Sequence, residues 1–230
     1  MEPIDAIAVD GPGASGKSVC ASVAHILGYR LLDSGALYRA ATYCVTLLNL
    51  DPTNAKDAET ALAIHMPHIG FEGNAVTLHG RVLGEKIRTR EIDRLVHHVS
   101  EHPRVRDLVV QIQRKFAHRE RVVAEGRDMT SVVFRDARVK VFLTADPETR
   151  ALRRWKQYKE NDSAFTGSVG QVMEDLRERD HRDMTRTHSP LVQVPDAVVI
   201  DSTRMSREEV VEQILGLCRP KTPVDSEVLV

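Results

Sequence analysis

The sequence is short of several things, and each shortage removes a class of function. Three cysteines stand far apart, at 20, 44 and 218, with no C-x-x-C pair among them. That excludes a disulfide framework and predicts a reducing compartment. No apolar stretch reaches 18 residues, and the Met1-Glu2-Pro3 start is acidic where a secretory leader is basic, so neither a membrane span nor a signal peptide is expected. The cytoplasm is the expected location. Excess charge is missing too: 32 Lys and Arg balance 33 Asp and Glu for a net charge of −1, which argues against polymeric nucleic acid or an anionic membrane as partner. The ten histidines show no H-E-x-x-H or Cys/His ligand spacing. The N-K-x-D signature of guanine-nucleotide switches is absent as well.

What is present is ordered. Of the 32 basic residues 24 are arginine, the side chain that grips phosphate and carboxylate with a planar fork; GC-rich codon usage explains the count alone equally well. The chain is organised around residues 7–18. An apolar run, Ile7 to Val9, reads as a buried strand, and Gly11, Gly16, Lys17 and Ser18 fit the phosphate-loop spacing G-x-x-x-x-G-K-[ST]. Val19, Val23 and Ile26 then fall at i, i+4 and i+7, one helix face that Gly28 can end. In that setting backbone N–H groups and the helix N-terminus cradle a triphosphate. Lys17 would hold its β- and γ-phosphates, and the Ser18 hydroxyl would bind Mg²⁺. A chance match in a chain this long is on the order of one per cent.

The 230 residues suit one domain with a subdomain. Arg30–Asp33 reads as a second strand, with Ser34 as N-cap of a helix to about Leu48 whose buried side carries Leu37, Ala41, Cys44 and Leu48. Tyr38 and Arg39 lie in its first turn, where an arginine opposes the helix dipole and an anion nearby would account for it. A short helix, Ala58–His65, and three short strands at 69–71, 75–78 and 81–83, separated by turns, predict a small antiparallel insertion over about 50–100 that binds a substrate. Helices follow at 91–99 and 103–117. Strand 121–124 runs into Glu125-Gly126-Arg127-Asp128, the strand end at which α/β sheets place ligand contacts. After strand 139–143 comes a helix from Asp146-Pro147 carrying Arg150, Arg153 and Arg154, then a polar, breaker-rich stretch. On the next helix Val172, Leu176, Arg179, Asp183 and Arg186 fall within about 40° of one line, so an apolar face should run from the core into a polar cleft. A last strand, 198–201, and a helix with a Ser206/Glu209 capping box complete the domain at about residue 220. Residues 221–230 are expected to be a disordered tail.

Together these stretches resemble bacterial-type cytidylate kinase, a nucleoside monophosphate kinase. The resemblance rests on the phosphate loop, Leu32-Asp33-Ser34-Gly35-Ala36-Leu37-Tyr38-Arg39, Ile87-Arg88-Thr89, Pro103-Arg104-Val105-Arg106, Gly126-Arg127-Asp128-Met129 and Arg179-Asp180-His181-Arg182-Asp183, and spans nearly the whole chain except the tail. It implies ATP-dependent phosphorylation of CMP and dCMP by a monomer. The implied fold is a three-layer α/β/α P-loop kinase with a five-stranded parallel core, a monophosphate-binding insertion and a lid at about 158–170. The alternatives are a UMP-preferring or other small-molecule P-loop kinase, or a nucleotide-dependent switch.

By that resemblance ATP is held by Gly11, Pro12, Gly13, Ala14, Ser15, Gly16, Lys17, Ser18, Val19 and Arg154, and transfer is served by Lys17, Arg127, Arg186 and Arg153. Ser34, Arg39, Arg127 and Arg186 would hold the acceptor phosphate, and Tyr38 would also contact the substrate. Arg179 and Asp183 would hold the ribose, and Arg106 and Asp128 the cytosine edge, whose N4 amino group wants a carboxylate and whose O2 and N3 want a donor. Arg150, Arg153 and Arg154 would close over the triphosphate and exclude water. This chain departs from the family at three places: His97 stands where a base-reading serine is usual, Thr130 where a glycine is, and Arg135 where a proline is. Asp10, Asp33, Glu125 and Asp128 are all candidates for orienting Mg²⁺.

Overall fold

A computed structural model describes residues 4–161 and 164–219. The expected tail at 221–230 and residues 162–163 of the expected lid lie outside the described residues.

Strand β1 (Ala6–Asp10) is buried along its whole length. Alternate residues point to opposite faces of a sheet, and here they divide between two cores: Ala6 and Ala8 enter one with Leu37, Ala41 and Val109, and Ile7 and Val9 the other with Val19, Val23 and Ile214. A strand apolar on both faces belongs at the centre of a helix-covered parallel sheet. β1 is that centre. It pairs in parallel with β6 (Val122–Gly126) and β7 (Val139–Thr144), and β2 (Arg30–Asp33) and β8 (Val198–Asp201) extend the sheet to the order β2-β6-β1-β7-β8, parallel throughout. Helices α1 (Lys17–Leu27) and α8 (Arg207–Cys218) cover one face, and α2 (Ser34–Leu47) and α5 (Pro103–Ala117) the other. The three-layer α/β/α expectation holds.

The insertion holds α3 (Ala55–His65), an antiparallel sheet of β3 (Ile69–Glu72), β4 (Ala75–Leu78) and β5 (Arg81–Val82), and α4 (Arg90–Glu101). After β7, α6 (Pro147–Asn161) and α7 (Val169–Thr185) pack as an antiparallel pair through Ala151, Val172 and Leu176, with Ser168 and Gln171 forming a capping box at the start of α7. The Ser206/Glu209 capping box of α8 is also present.

Four local expectations need correction. Ile26 is 58% exposed, because Val19, Cys20, Val23 and Ala24 make the buried stripe of α1; at 100° per residue Ile26 lies about 90° from its centre. Leu48 is half-exposed, since α2 stops at Leu47. The N-cap of α2 is Asp33, whose carboxylate accepts from the Ala36 N–H at 3.0 Å, and Ser34 is already helical. Arg186 follows α7 in extended conformation, φ −62 and ψ 143, so the helical stripe ends at Asp183.

Candidate active site

The phosphate loop leaves the C-terminal end of β1, where neighbouring connections diverge to opposite faces of the sheet. Its glycines are required by contact: a Cβ on Gly11 would lie 2.0 Å from the Leu143 carbonyl oxygen, and one on Gly13 2.9 Å from the Leu176 side chain. Ala14 adopts φ +64, a left-handed conformation that costs an alanine roughly 1–2 kcal/mol. Gly16 caps α1 with no side-chain hydrogen bond, and the first turn holds no acid. The first N–H groups of an eleven-residue helix are thereby left for an anion.

Carboxylates line the floor below the loop. Lys17 Nζ is 2.6 Å from Asp33 Oδ2. Glu125, at the end of the neighbouring strand, is pushed up in pKa by burial and by Asp33, against the pull of Arg127, Lys17 and Arg179. Asp10 accepts from the Met129 N–H at 2.8 Å, the Thr130 N–H at 2.7 Å and the Thr130 hydroxyl at 2.6 Å. It therefore shapes the turn that carries Arg127 and Asp128, and Thr130, in the place of a usual glycine, supplies the third bond.

A second set of side chains converges opposite the loop. Arg127 Nε donates to Asp183 Oδ2 at 2.9 Å and its Nη1 lies 3.7 Å from Glu125. Arg186 Nη1 donates to Asp183 Oδ1 at 3.0 Å while Nε and Nη2 hold the Ser189 carbonyl. Burial opposes ionisation of Asp183, but Arg127, Arg186 and Arg179 outweigh it and hold its carboxyl below the usual range. Arg179, still reached by solvent, is lowered to about 10 by desolvation and by the cations of Arg127, Arg154 and Arg39. A hollow of about 320 Å³ opens beside Arg186, lined also by Glu101, Arg182 and His188.

Deeper, Arg106 and Asp128 form an ion pair at 2.5 Å with side chains 3% and 2% exposed. Arg106 also donates to the Ser100 carbonyl at 2.9 Å and its guanidinium lies 5.0 Å from the Tyr38 ring centroid; burial, with Asp128 nearby, raises the pKa of the Tyr38 hydroxyl. Buried Ser34 accepts from Gln113 Nε2 at 3.0 Å. Two buried polar atoms here, Arg106 Nε and Gln113 Oε1, lack a partner among the described residues, and groups so placed call for a ligand or water.

Not every expected residue faces this space unengaged. Arg39 is held by Asp93 and the Ile87 carbonyl. His97 packs against His98 with centroids 3.9 Å apart and the rings tilted by 39°, its pKa lowered by burial, His98 and Arg182. Arg153 donates to the hydroxyl and carbonyl of Ser202 at 2.9 and 2.7 Å, and Arg154 to Gln157 at 3.0 Å. Arg150 is buried against Asp180 at 2.5 Å. Asp180, Gln113 and Asp93 are residues whose part in the site sequence reasoning missed. For Asp180 the signal existed: it lies at i+4 from buried Leu176.

A phosphate loop beside an arginine-rich cluster is suited to passing a phosphoryl group between two bound molecules. The fold and the site define a phosphotransferase of the P-loop kinase class. A family model described as cytidylate kinase matches residues 7–220. The cytidylate kinases of Salmonella newport (strain SL254) and Salmonella enteritidis PT4 (strain P125109) are each 40% identical to the chain over 219 residues, 94% of it and 95% of theirs. A solved structure, TT1252 from Thermus thermophilus, covers 94% of the chain and 97% of its own at 17% identity and a TM-score of 0.47. The chain belongs to the cytidylate kinase family, the nucleoside monophosphate kinases that phosphorylate CMP and dCMP with ATP as donor.

Proposed function

We propose that transfer occurs across the space between Lys17 and the Arg127–Asp183–Arg186 cluster, with ATP on the phosphate loop and CMP or dCMP in the arginine-rich half. The observation that carries this reading is that Asp33 pairs with Lys17 of the loop, while Glu125 and Asp183 pair with Arg127 of the opposite half. The β–γ bond of ATP breaks, the acceptor phosphate oxygen takes the γ-phosphoryl group, and ADP leaves. Such a transition state asks for positioning and for neutralisation of charge spread over the transferring oxygens. Lys17, Arg127 and Arg186 supply that charge. No general base is required, because the acceptor phosphate is already ionised.

Ser34, Arg39, Arg127 and Arg186 hold the acceptor phosphate, Arg179 and Asp183 the ribose, and Arg106, Asp128, Tyr38 and His97 the base. For Arg39 this means exchanging Asp93 for phosphate. Arg106 Nε is suited to an acceptor atom of cytosine and the Asp128 carboxylate to its amino group. Arg154, beside Arg179, fits the ATP side, and Arg153 would act there only on releasing Ser202. The stretch at about 158–170, from the end of α6 to the start of α7, serves as the lid.

Mg²⁺ fits the floor of the loop. Asp10 is held by the 129–130 turn and Asp128 by buried Arg106; Ser18, with Glu125 and with Asp33 on exchanging Lys17 for the ion, would be the oxygen donors, and a cation would relieve the crowding of Asp33 against Glu125. When bound, the ion neutralises phosphate charge. Both half-sites come from one chain, which supports action as a monomer. No helix among the described residues is long and apolar enough to cross a membrane, and Cys20 and Cys44 are free and buried, consistent with a cytoplasmic enzyme. An ADP-release assay over CMP, dCMP, UMP, AMP and shikimate tests the reading: CMP and dCMP should be the efficient acceptors, and ATP turnover indifferent to any acceptor would refute it.

A further inference from the structure

Asp180 has no part in the two half-sites as assigned above, yet it touches the phosphate loop directly. Its Oδ1 accepts from the Gly13 N–H at 2.8 Å, and its Oδ2 accepts from Arg150 Nη1 at 2.5 Å. The same Arg150 nitrogen donates to the Gly13 carbonyl at 3.1 Å, and Arg150 Nε to the Ala145 carbonyl beyond the end of β7 at 3.0 Å. Asp180 is 5% and Arg150 6% exposed. One buried carboxylate–guanidinium pair thus holds the N–H and the C=O of a single loop residue. Gly13 is seated against α7 so closely that a Cβ there would lie 2.9 Å from Leu176 and 3.4 Å from Asp180.

Three residues further along α7 stands Asp183, which holds Arg127 and Arg186. One helical turn therefore carries the anchor of the donor loop and the anchor of the acceptor arginines. Residues i and i+3 share a helix face and move together as a rigid element. A phosphate that shifts the Gly13 peptide must drag Asp180, and with it Asp183.

We propose that Asp180 is a positioning residue which, with Arg150, links the phosphate loop to α7 and so makes the donor and acceptor nucleotides tighten each other's binding. A pair serving stability alone would be replaceable by apolar side chains; this one is fitted to the backbone N–H and C=O of one loop residue. The linkage rests on the assignment of the loop to ATP and of the Asp183 cluster to CMP.

The test is calorimetric titration of CMP into the full-length protein, with and without a saturating non-hydrolysable Mg–ATP analogue. In the wild type the analogue should tighten CMP by about 5-fold or more, the size typical of coupled sites. In Asp180→Ala the factor should fall to within about twofold of unity, with CMP affinity in the absence of analogue little changed. If Arg150, left buried and unpaired, unfolds that variant, Asp180→Ala/Arg150→Met buries no lone charge and carries the same expectation. A wild type without coupling, or a folded variant that keeps it, overturns the proposal. Asp183→Asn, titrated with CMP alone, separates the two readings: weakened CMP binding upholds the acceptor assignment whatever Asp180 does, and unchanged binding defeats the assignment itself.

Discussion

In the proposed assignment the donor half rests mainly on nine consecutive residues, Gly11 to Val19, with backbone N–H as its main binding groups, whereas the proposed acceptor half gathers side chains from α2, α4, α5, the turn after β6 and the end of α7. The donor half is shaped by what cannot be present: a Cβ at Gly11 collides with the Leu143 carbonyl. The acceptor half is shaped by what must be paired: Asp183 with two arginines, Arg106 with Asp128, Arg39 with Asp93. A change in the donor half should therefore act locally, through one lost group or one steric clash. In the acceptor half each change should also reach the partner left behind.

The largest effect falls on Lys17, the one charged side chain of the phosphate loop itself. Lys17→Ala should lower kcat by roughly 10²–10³-fold, the scale for losing one preorganised transition-state donor. Because Lys17 is half-exposed and its single ion-pair partner, Asp33, keeps its Ala36 hydrogen bond, far-ultraviolet circular dichroism and Tm should change little. A near-normal kcat would remove the loop from the chemistry.

Asp128→Ala should behave in the opposite manner and disturb two things together. The preference for CMP over UMP in kcat/KM should fall by about 1–3 kcal/mol, or roughly 5- to 150-fold, with the KM for ATP nearly unchanged. Stability should drop as well, by about 3–5 kcal/mol, since Arg106 would be left buried without its counter-charge. Unaltered selectivity in a folded variant would take Asp128 out of base reading; unaltered stability would dissolve the contrast between the halves.

The same contrast explains what was legible in the sequence. The donor half is contiguous, so strand, glycine loop and helix could be read as one unit from residues 7–28. Arg127 and Asp128 were legible from their place after a strand, and Arg179 and Asp183 from helical periodicity. Their partners were not. Ser34 meets Gln113 across 79 residues and Thr130 meets Asp10 across 120, distances at which pairing depends on how the sheet and helices stack. Asp33 and Ser34 are both good N-caps; the register Asp33↔Glu125 keeps Asp33 in β2 and starts the helix immediately after it. Helical periodicity puts Arg186 on a face that ends before it, yet the side chain still reaches Asp183 from beyond the helix. A one-dimensional pattern identifies a face; it does not say which polar residue on that face finds which partner.

Glu125 lies where the two halves meet, between Lys17 and Arg127, and its expected effect is the smallest. Burial and Asp33 raise its folded pKa above the unfolded value, so the fold favours the protonated carboxyl. The sign is therefore the reverse of an ordinary paired carboxylate: the group costs nothing below the unfolded pKa of 4.5, and the cost grows as pH rises through the folded value. Glu125→Gln, which keeps the shape and removes the charge, should leave Tm unchanged near pH 4 and raise it at neutral pH by roughly 2–4 °C per kcal/mol relieved. Its kcat should fall if Glu125 helps orient Mg²⁺, so stability and activity would move in opposite directions at one position. Thermal melts of both proteins from pH 4 to pH 8 decide the matter. A difference in Tm that stays flat across that range would mean that the cations of Lys17 and Arg127 fully offset the burial, and that the seam between the halves is as well paired as the acceptor side.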